Sequence, residues 1–276
     1  MNQIREENRN CIVTLPGFSL QDTLDCGQSF RWEYQEDGCF YGTVNNRFQK
    51  ISQQQDDIIF YNTNRTEYET FWKHYFDFDT NYTAIQQQLC SDDTLHKAIQ
   101  MVGGIRILRQ DPWETLCSFI ISQNNNIPRI KGIISRFCSF FGEPLTEQVY
   151  TFPTPERIAK LTVEELAPLR AGFRAKYLLD AAQKVVSQEI NFTQISQGTL
   201  AEGEEQLRKI YGVGAKVAQC VLLFGFYKMD AFPIDTWIKK VLTTYYPNGF
   251  PTQAKPYAGI AQQYLFHYVR TYEKQL

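Results

Sequence analysis

Along the first 95 residues, apolar and polar positions alternate in short runs broken by turn signals. Ser29 to Tyr34 is one such run, Cys39 to Val44 follows the turn signal Glu36-Asp37-Gly38, and Asp57 to Tyr61 comes after another polar stretch. Short runs of this kind, rich in aromatic and β-branched residues, predict antiparallel strands. From about residue 96 the period lengthens to that of a helix. Asp111 is a cap residue ahead of Pro112 at the first helical position, and Leu116, Phe119 and Ile120 recur at helical spacing. Pro128 opens a second helix through Ile130, Ile133, Ile134 and Phe137, which Gly142 can end. Thr162 and Glu165 have the spacing of a capping box and predict another helix start, Phe173 to Val186 carries an apolar stripe, and Tyr257 to Tyr272 forms a last helix.

The pattern predicts an α+β chain: an N-terminal antiparallel β-rich domain at 1–95, then an all-helical domain at 96–276. No internal repeat or low-complexity segment interrupts it. The longest strongly apolar stretch, Val221 to Tyr227, is far short of the roughly 18 residues of a membrane span. Met1 to Asn10 is polar and has no apolar core of a signal peptide. These observations exclude membrane and secretory classes. Seven cysteines, an odd number without a C-x-x-C pair, point to reduced thiols in a cytosolic or nuclear protein. His74, His96 and His267 lie far apart, which argues against a metal site.

Charge changes the picture only when it is divided. The whole chain holds 28 Lys+Arg against 30 Asp+Glu, a net charge of -2 that argues against a polyanionic partner. Residues 1–95 hold 7 basic and 15 acidic residues, a balance of -8, whereas residues 96–276 hold 21 and 15, a balance of +6. A basic helical half suits a nucleic-acid backbone, although a basic helical face is more often simply solvated.

The sharpest motif runs from Leu207 to Ala218. A helix is expected to stop at Gly212, the pair Gly212 and Gly214 to turn the chain, and a second helix to start near Ala215, so that the hairpin spans about 207–225. Glycines let a ligand approach the backbone closely, and the free N–H groups of Gly212, Val213, Gly214 and the helix start suit a phosphate. A tight helix–helix turn without a ligand would look the same. Lys216 follows on the first turn of an apolar helix, where poor solvation and the positive end of the helix dipole both disfavour the ammonium and favour a nucleophilic amine. Nineteen residues on, Asp235 stands before another helix. As an N-cap it would be held by backbone N–H groups and stay ionised, as a catalytic carboxylate must.

Gly212-Val213-Gly214-x-Lys216 followed by Pro233-x-Asp235 resembles the helix-hairpin-helix, Gly/Pro-Asp superfamily of DNA base-excision glycosylases, in which a lysine at this position marks the bifunctional glycosylase/lyase members. Three further segments are similar to those of the 8-oxoguanine DNA glycosylases: Gly27 to Trp32, Asn124 to Ile130, and Tyr257 to Phe266. The resemblance runs from about Phe18 to the C-terminus. A four-cysteine array near the C-terminus, which relatives resembling endonuclease III use for an iron–sulfur cluster, is absent.

The resemblance implies an enzyme that extrudes a damaged base from duplex DNA, needs no metal or organic cofactor and works as a monomer. The short N-terminus without a visible targeting segment points to a cytosolic location in a bacterium or archaeon, or a nuclear one if the source is eukaryotic. Lys216 would attack the sugar and Asp235 would stabilise the charge that develops. The Gly27 carbonyl would accept from N7–H of 8-oxoguanine, a proton that guanine lacks, Gln262 would read the base edge, and Phe266 and Cys220 would cover its two faces. Asn124 would fill the gap, Phe173 would wedge beside the opposite base, and Arg129 and Arg174 would bond the orphaned cytosine. The bland alternatives are a helix C-cap for Asn124, a core ring for Phe173 and Phe266, solvated surface charge for the arginines and a small buried residue for Cys220. Trp237 stands where many eukaryotic members carry a histidine near the DNA backbone. Two competing readings remain at this level: an alkylbase glycosylase, which has no need of an amine at 216, and a noncatalytic module that keeps the hairpin for backbone contact.

Overall fold

The structure, a computed structural model, describes residues 3–273. Six strands form one antiparallel sheet in the order β1-β2-β6-β5-β4-β3: β1 Gln3–Glu7, β2 Asn10–Thr14, β3 Trp32–Tyr34, β4 Phe40–Val44, β5 Arg47–Gln54 and β6 Asp57–Phe60. Three hairpins close through two-residue turns: Asn8-Arg9 at φ 52° and 66°, Asn45-Asn46 at φ 45° and 63°, and Gln55-Asp56, where only Gln55 has positive φ, at 55°. Positive φ at both central residues matches the twist of paired strands, and asparagine tolerates that region well. The expected runs account for β3, β4 and β6, though Ser29 to Tyr34 yields a strand only from Trp32. β1 and β5 are largely polar, so their sequences carry little alternation.

The sheet packs on an aromatic core that includes Trp32, Phe60, Trp72 and Phe76, with Leu108 reaching in from further along the chain. Trp32 Nε1 donates to the Tyr75 hydroxyl at 2.9 Å. A second core begins at Tyr82 and takes in the helices that follow, together with Cys26 and Phe30 from the N-terminal part. The change in composition at residues 95 and 96 falls inside the helix Asp93–Val102, which belongs to this second core together with Tyr82–Leu89. Buried polar contacts join the two cores. Gln28 Nε2 donates to the carbonyls of Thr23 (2.9 Å) and Arg106 (2.8 Å), and its Oε1 accepts from the Leu108 amide at 2.9 Å. Arg31 pairs with Glu114 at 3.2 Å, and Lys131 Nζ donates to the Trp32 carbonyl at 2.7 Å.

Helix punctuation follows the sequence at most points. Asp111 Oδ1 accepts from the Glu114 amide at 2.8 Å and caps Pro112–Ser122, and Asn126 caps Ile127–Phe141, which ends before Gly142. Helices Arg174–Val186 and Ala258–Tyr272 occupy the two later stripes. Thr162 is the exception. The reciprocal bonds of a capping box are present, from the Thr162 amide to Glu165 Oε2 at 2.8 Å and from the Glu165 amide to Thr162 Oγ1 at 3.3 Å. Only a turn and the 3-10 segment Ala167–Leu169 follow, because Pro168 has no N–H to extend an α-helix.

Candidate active site

The hairpin is built from Leu200–Leu207 and Ala215–Phe224. The first helix ends at Leu207, earlier than the glycine signal suggests, because the neighbouring helix Arg174–Val186 takes over the backbone groups beyond it. Asp180 Oδ2 accepts from the Tyr211 amide at 2.7 Å, and Lys184 Nζ donates to the Lys209 carbonyl. Gly212 has φ +78°, and a Cβ there would lie 2.4 Å from the Tyr177 ring, so backbone and packing both require glycine. Gly212→Ala is expected to cost about 3 kcal/mol of stability, from about 1–2 kcal/mol for left-handed backbone and a similar amount for overpacking. A urea titration checks this, and an unchanged midpoint would contradict it. Val213 is buried and its amide bonds the Ile210 carbonyl at 3.0 Å, so it cannot donate to a phosphate. Gly214 caps the second helix in open space, and the first helical bond is from the Ala218 amide to the Gly214 carbonyl. The amides of Ala215, Lys216 and Val217 therefore have no intrahelical acceptor.

Lys216 is half-buried on the first turn of this helix, with Nζ 5.3 Å from the Phe119 ring centroid. Asp235 is the N-cap of Thr236–Tyr245, and its Oδ1 accepts from the Ile238 amide at 2.8 Å. The cap role read from the sequence is thus present. A cleft of ≈ 720 Å³ brings Lys216 and Asp235 together with Gly27, Asn124, Trp237 and Phe266. Beneath it a space of ≈ 40 Å³ continues to Cys220 and Gln262. That inner space has room for a few waters and not for a purine, so a base entering it must displace side chains at the mouth.

Gln262 is 5% exposed, and its Oε1 is buried with no hydrogen-bond partner. A buried acceptor left unpaired costs about 1–3 kcal/mol, so it is a group waiting for a donor. Burial pushes the Cys220 thiol up from its ordinary value, and the neighbouring Lys216 only partly offsets this, which leaves a neutral, weakly polar wall. Gly27 lies in the bend after the helix Leu20–Asp25 with φ +84°; a Cβ there would meet Arg270, Phe266 and Ile127 at 3.6–3.9 Å, ordinary contacts. The conformation, more than crowding in the open site, selects glycine.

The gap-filling candidates form a second cluster at the rim. Asn124 is exposed at φ 48°, a left-handed position that asparagine tolerates, just beyond helix Pro112–Ser122. Phe173 is 47% exposed, which removes the core alternative for this ring. Arg174 is only 3% exposed: Nε donates to the Gln123 carbonyl at 2.9 Å and its terminal amino groups to the carbonyls of Gln123, Asn124 and Ala171. It thus lies under the loop, with its guanidinium carbon 4.4 Å from the Phe173 ring centroid. Arg129 is exposed on the first turn of Ile127–Phe141.

Residues 11–116 match the family described as 8-oxoguanine DNA glycosylase, N-terminal domain, and residues 117–256 match the HhH-GPD superfamily base excision DNA repair protein family. The chain belongs to the HhH-GPD superfamily of base excision DNA repair proteins. Among HhH-GPD relatives, an N-glycosylase/DNA lyase of Saccharomyces cerevisiae is 31% identical over 254 residues, covering 80% of this chain and 66% of the yeast protein. The chain therefore spans about two thirds of that relative's length. The fold is that of MBOgg1 in complex with a low-affinity DNA ligand, at TM-score 0.92 and 40% identity over 100% of both chains. It is also similar to the Clostridium acetobutylicum 8-oxoguanine glycosylase/lyase in complex with duplex DNA containing cytosine opposite 8-oxoG, at TM-score 0.90 and 38% identity over 99% of both.

The sequence reading missed several residues that hold the HhH-GPD site in place. Gln28, Gln263, Tyr177 and Arg270 carry no signal of this role in the sequence. Their partners lie far away in the chain, as with Gln263 and Cys26, 237 positions apart. No local spacing signals such a contact. Among the described residues no helix is long and apolar enough to cross a membrane.

Proposed function

We propose that this protein is a bifunctional DNA glycosylase and abasic-site lyase that removes 8-oxoguanine from duplex DNA, preferentially opposite cytosine. The observation that carries the reading is one cleft lined by Lys216 and Asp235 that leads to the unpartnered, buried Oε1 of Gln262. A nucleophile, a carboxylate and an unsatisfied acceptor around one space suit excision of a base that offers N–H donors. The named activities of the yeast and Clostridium relatives support the same reading.

The target nucleotide is extruded, because its C1′ is shielded within the stack. Asn124 fills the vacated space and Phe173 wedges beside the opposite base. Arg129 bonds the orphaned cytosine from the rim, and Arg174 assists with the single Nη1 N–H that its carbonyl contacts leave over. The Gly27 carbonyl accepts from N7–H of the lesion, where guanine would set acceptor against acceptor. The base lies between Phe266 and Cys220 with its edge on Gln262. Neutral Lys216 then attacks C1′ as the glycosidic bond breaks and its electrons leave with the base, while the Asp235 carboxylate stabilises the oxocarbenium-like charge. The adduct opens to a Schiff base; loss of a C2′ proton expels the 3′ phosphate and nicks the strand. The amides of Ala215 to Val217 face a backbone phosphate beside the lesion. We place the enzyme in a bacterial or archaeal cytosol, or in the nucleus of a eukaryotic cell.

Borohydride added during turnover of an 8-oxoguanine:cytosine duplex is expected to trap a covalent complex, and lesions opposite the other three bases to react more slowly. No trapping, or no preference for 8-oxoguanine over an alkylated purine, would sink the proposal and favour the water-using alkylbase class.

A further inference from the structure

The bend that carries Gly27 is held from three sides. Gln263 Nε2 donates to the Cys26 carbonyl at 3.0 Å in a buried contact, and an Arg270 amino group donates to the Asp25 carbonyl at 2.9 Å. Both donors come from the C-terminal helix Ala258–Tyr272, the helix that presents Gln262 and Phe266. On the far side, the Gln28 side chain is fixed to Thr23, Arg106 and Leu108. The Arg270 guanidinium carbon lies 5.3 Å from the Phe266 ring centroid, and His267, one of its neighbours, approaches Asp22 at 3.3 Å. Among the described residues the Gly27 carbonyl is the one in this bend that accepts no hydrogen bond from the protein.

We infer that Gln263 and Arg270 are positioning residues for lesion specificity: they hold the peptide planes before Gly27 so that its carbonyl, and not an amide, faces the base. The reason lies in the backbone. A glycine at positive φ has little steric resistance to a flip of the peptide that follows it. Such a flip exchanges the Gly27 carbonyl for the Gln28 N–H. The site would then present a donor, which pairs with N7 of ordinary guanine and repels N7–H of 8-oxoguanine. Strained backbone persists only where its surroundings over-determine it, and here two donors fix the planes on one side and Gln28 fixes the other. Neither Gln263 nor Arg270 needs to touch the base for this. Because both belong to the helix that carries Gln262 and Phe266, the carbonyl, the edge-reading amide and the stacking ring keep one geometry.

The inference rests on the role proposed above for the Gly27 carbonyl, and the test separates the two. Binding of uncleavable duplexes carrying 8-oxoguanine or guanine opposite cytosine is compared for wild type, Arg270→Met, Arg270→Lys and Gln263→Met, alongside excision of 8-oxoguanine and nicking of a preformed abasic site. Losing one such bond is expected to reduce the 8-oxoguanine over guanine preference about tenfold. Excision should fall about tenfold more than abasic-site nicking, which needs no base reader, and Arg270→Lys, which keeps a donor, should recover part of the preference. Arg270 is at the surface of the cleft, so its variants report even if Gln263→Met fails to fold. A preference unchanged in Arg270→Met, or excision and nicking falling by the same factor, overturns the assignment alone. A wild type with no preference removes the lesion reading and this assignment with it.

Discussion

Lys216→Gln is expected to abolish borohydride trapping and to lower release of 8-oxoguanine about 10⁴-fold, the scale on which enzymes respond to loss of a nucleophile or its activating partner. Glutamine keeps the reach and most of the apolar stem of lysine while removing the amine. No carboxylate is paired with Lys216 among the described residues, so the change breaks no ion pair, and Asp235 keeps the bond from the Ile238 amide. Melting temperature should stay near that of the wild type, and affinity for an uncleavable lesion duplex should persist, because Gly27, Gln262 and Phe266 are untouched. Single-turnover gels with and without alkali separate base release from nicking. Trapping that survives the substitution would assign the covalent step to another amine.

Asp235→Asn separates the cap that this carboxylate forms from the charge stabilisation proposed for it. Asparagine is as good an N-cap as aspartate, so the bond from the Ile238 amide, 2.8 Å in the wild type, should be kept and the helix Thr236–Tyr245 left intact. What disappears is the negative charge that the proposed mechanism sets against the sugar. Removing one preorganised electrostatic group from a transition state costs about 10²–10³ in rate, and that loss is expected here. Asp235→Ala should show the same loss of rate plus about 1 kcal/mol of stability from the missing cap. If Asp235→Asn kept excision within threefold, the aspartate would be a cap only. The double variant with Lys216→Gln should be little slower than Lys216→Gln alone, because the charge that Asp235 stabilises develops when the lysine attacks.

Much of the fold and of the cleft's lining is legible in the sequence, and the physical reason is locality. The lysine, the hairpin and the capping aspartate are short-range signals, each fixed by spacing within one or two turns of helix. The alternation that marks β4 and β6 is local too. What stayed hidden depends on distance along the chain. β5 has polar residues at most positions and is recognisable only by its pairing with β4 and β6. The Thr162 to Glu165 signal is local and real, yet a proline three residues later stops the helix it announces. Arg174 reads as a free cation in the sequence, whereas the fold turns it under the Gln123 to Asn124 carbonyls. The unsatisfied Oε1 of Gln262 is a property of the cavity and not of any motif.

The sharing of Cys26 and Phe30 with the helical core bears on how this chain can be cut. A fragment begun at Tyr82 would retain Lys216 and Asp235, but it would lose two apolar plugs and open a void beside Phe119, whose ring lies 5.8 Å from that of Phe30. Deleting buried rings of this size costs about 3–5 kcal/mol, a large part of a domain's total stability. Truncation libraries and split reporters should therefore find few soluble breakpoints between the sheet and the helices. The sheet is bound into the interior of the half that holds Lys216 and Asp235, and the bend that carries Gly27 to the cleft is itself one of the seams.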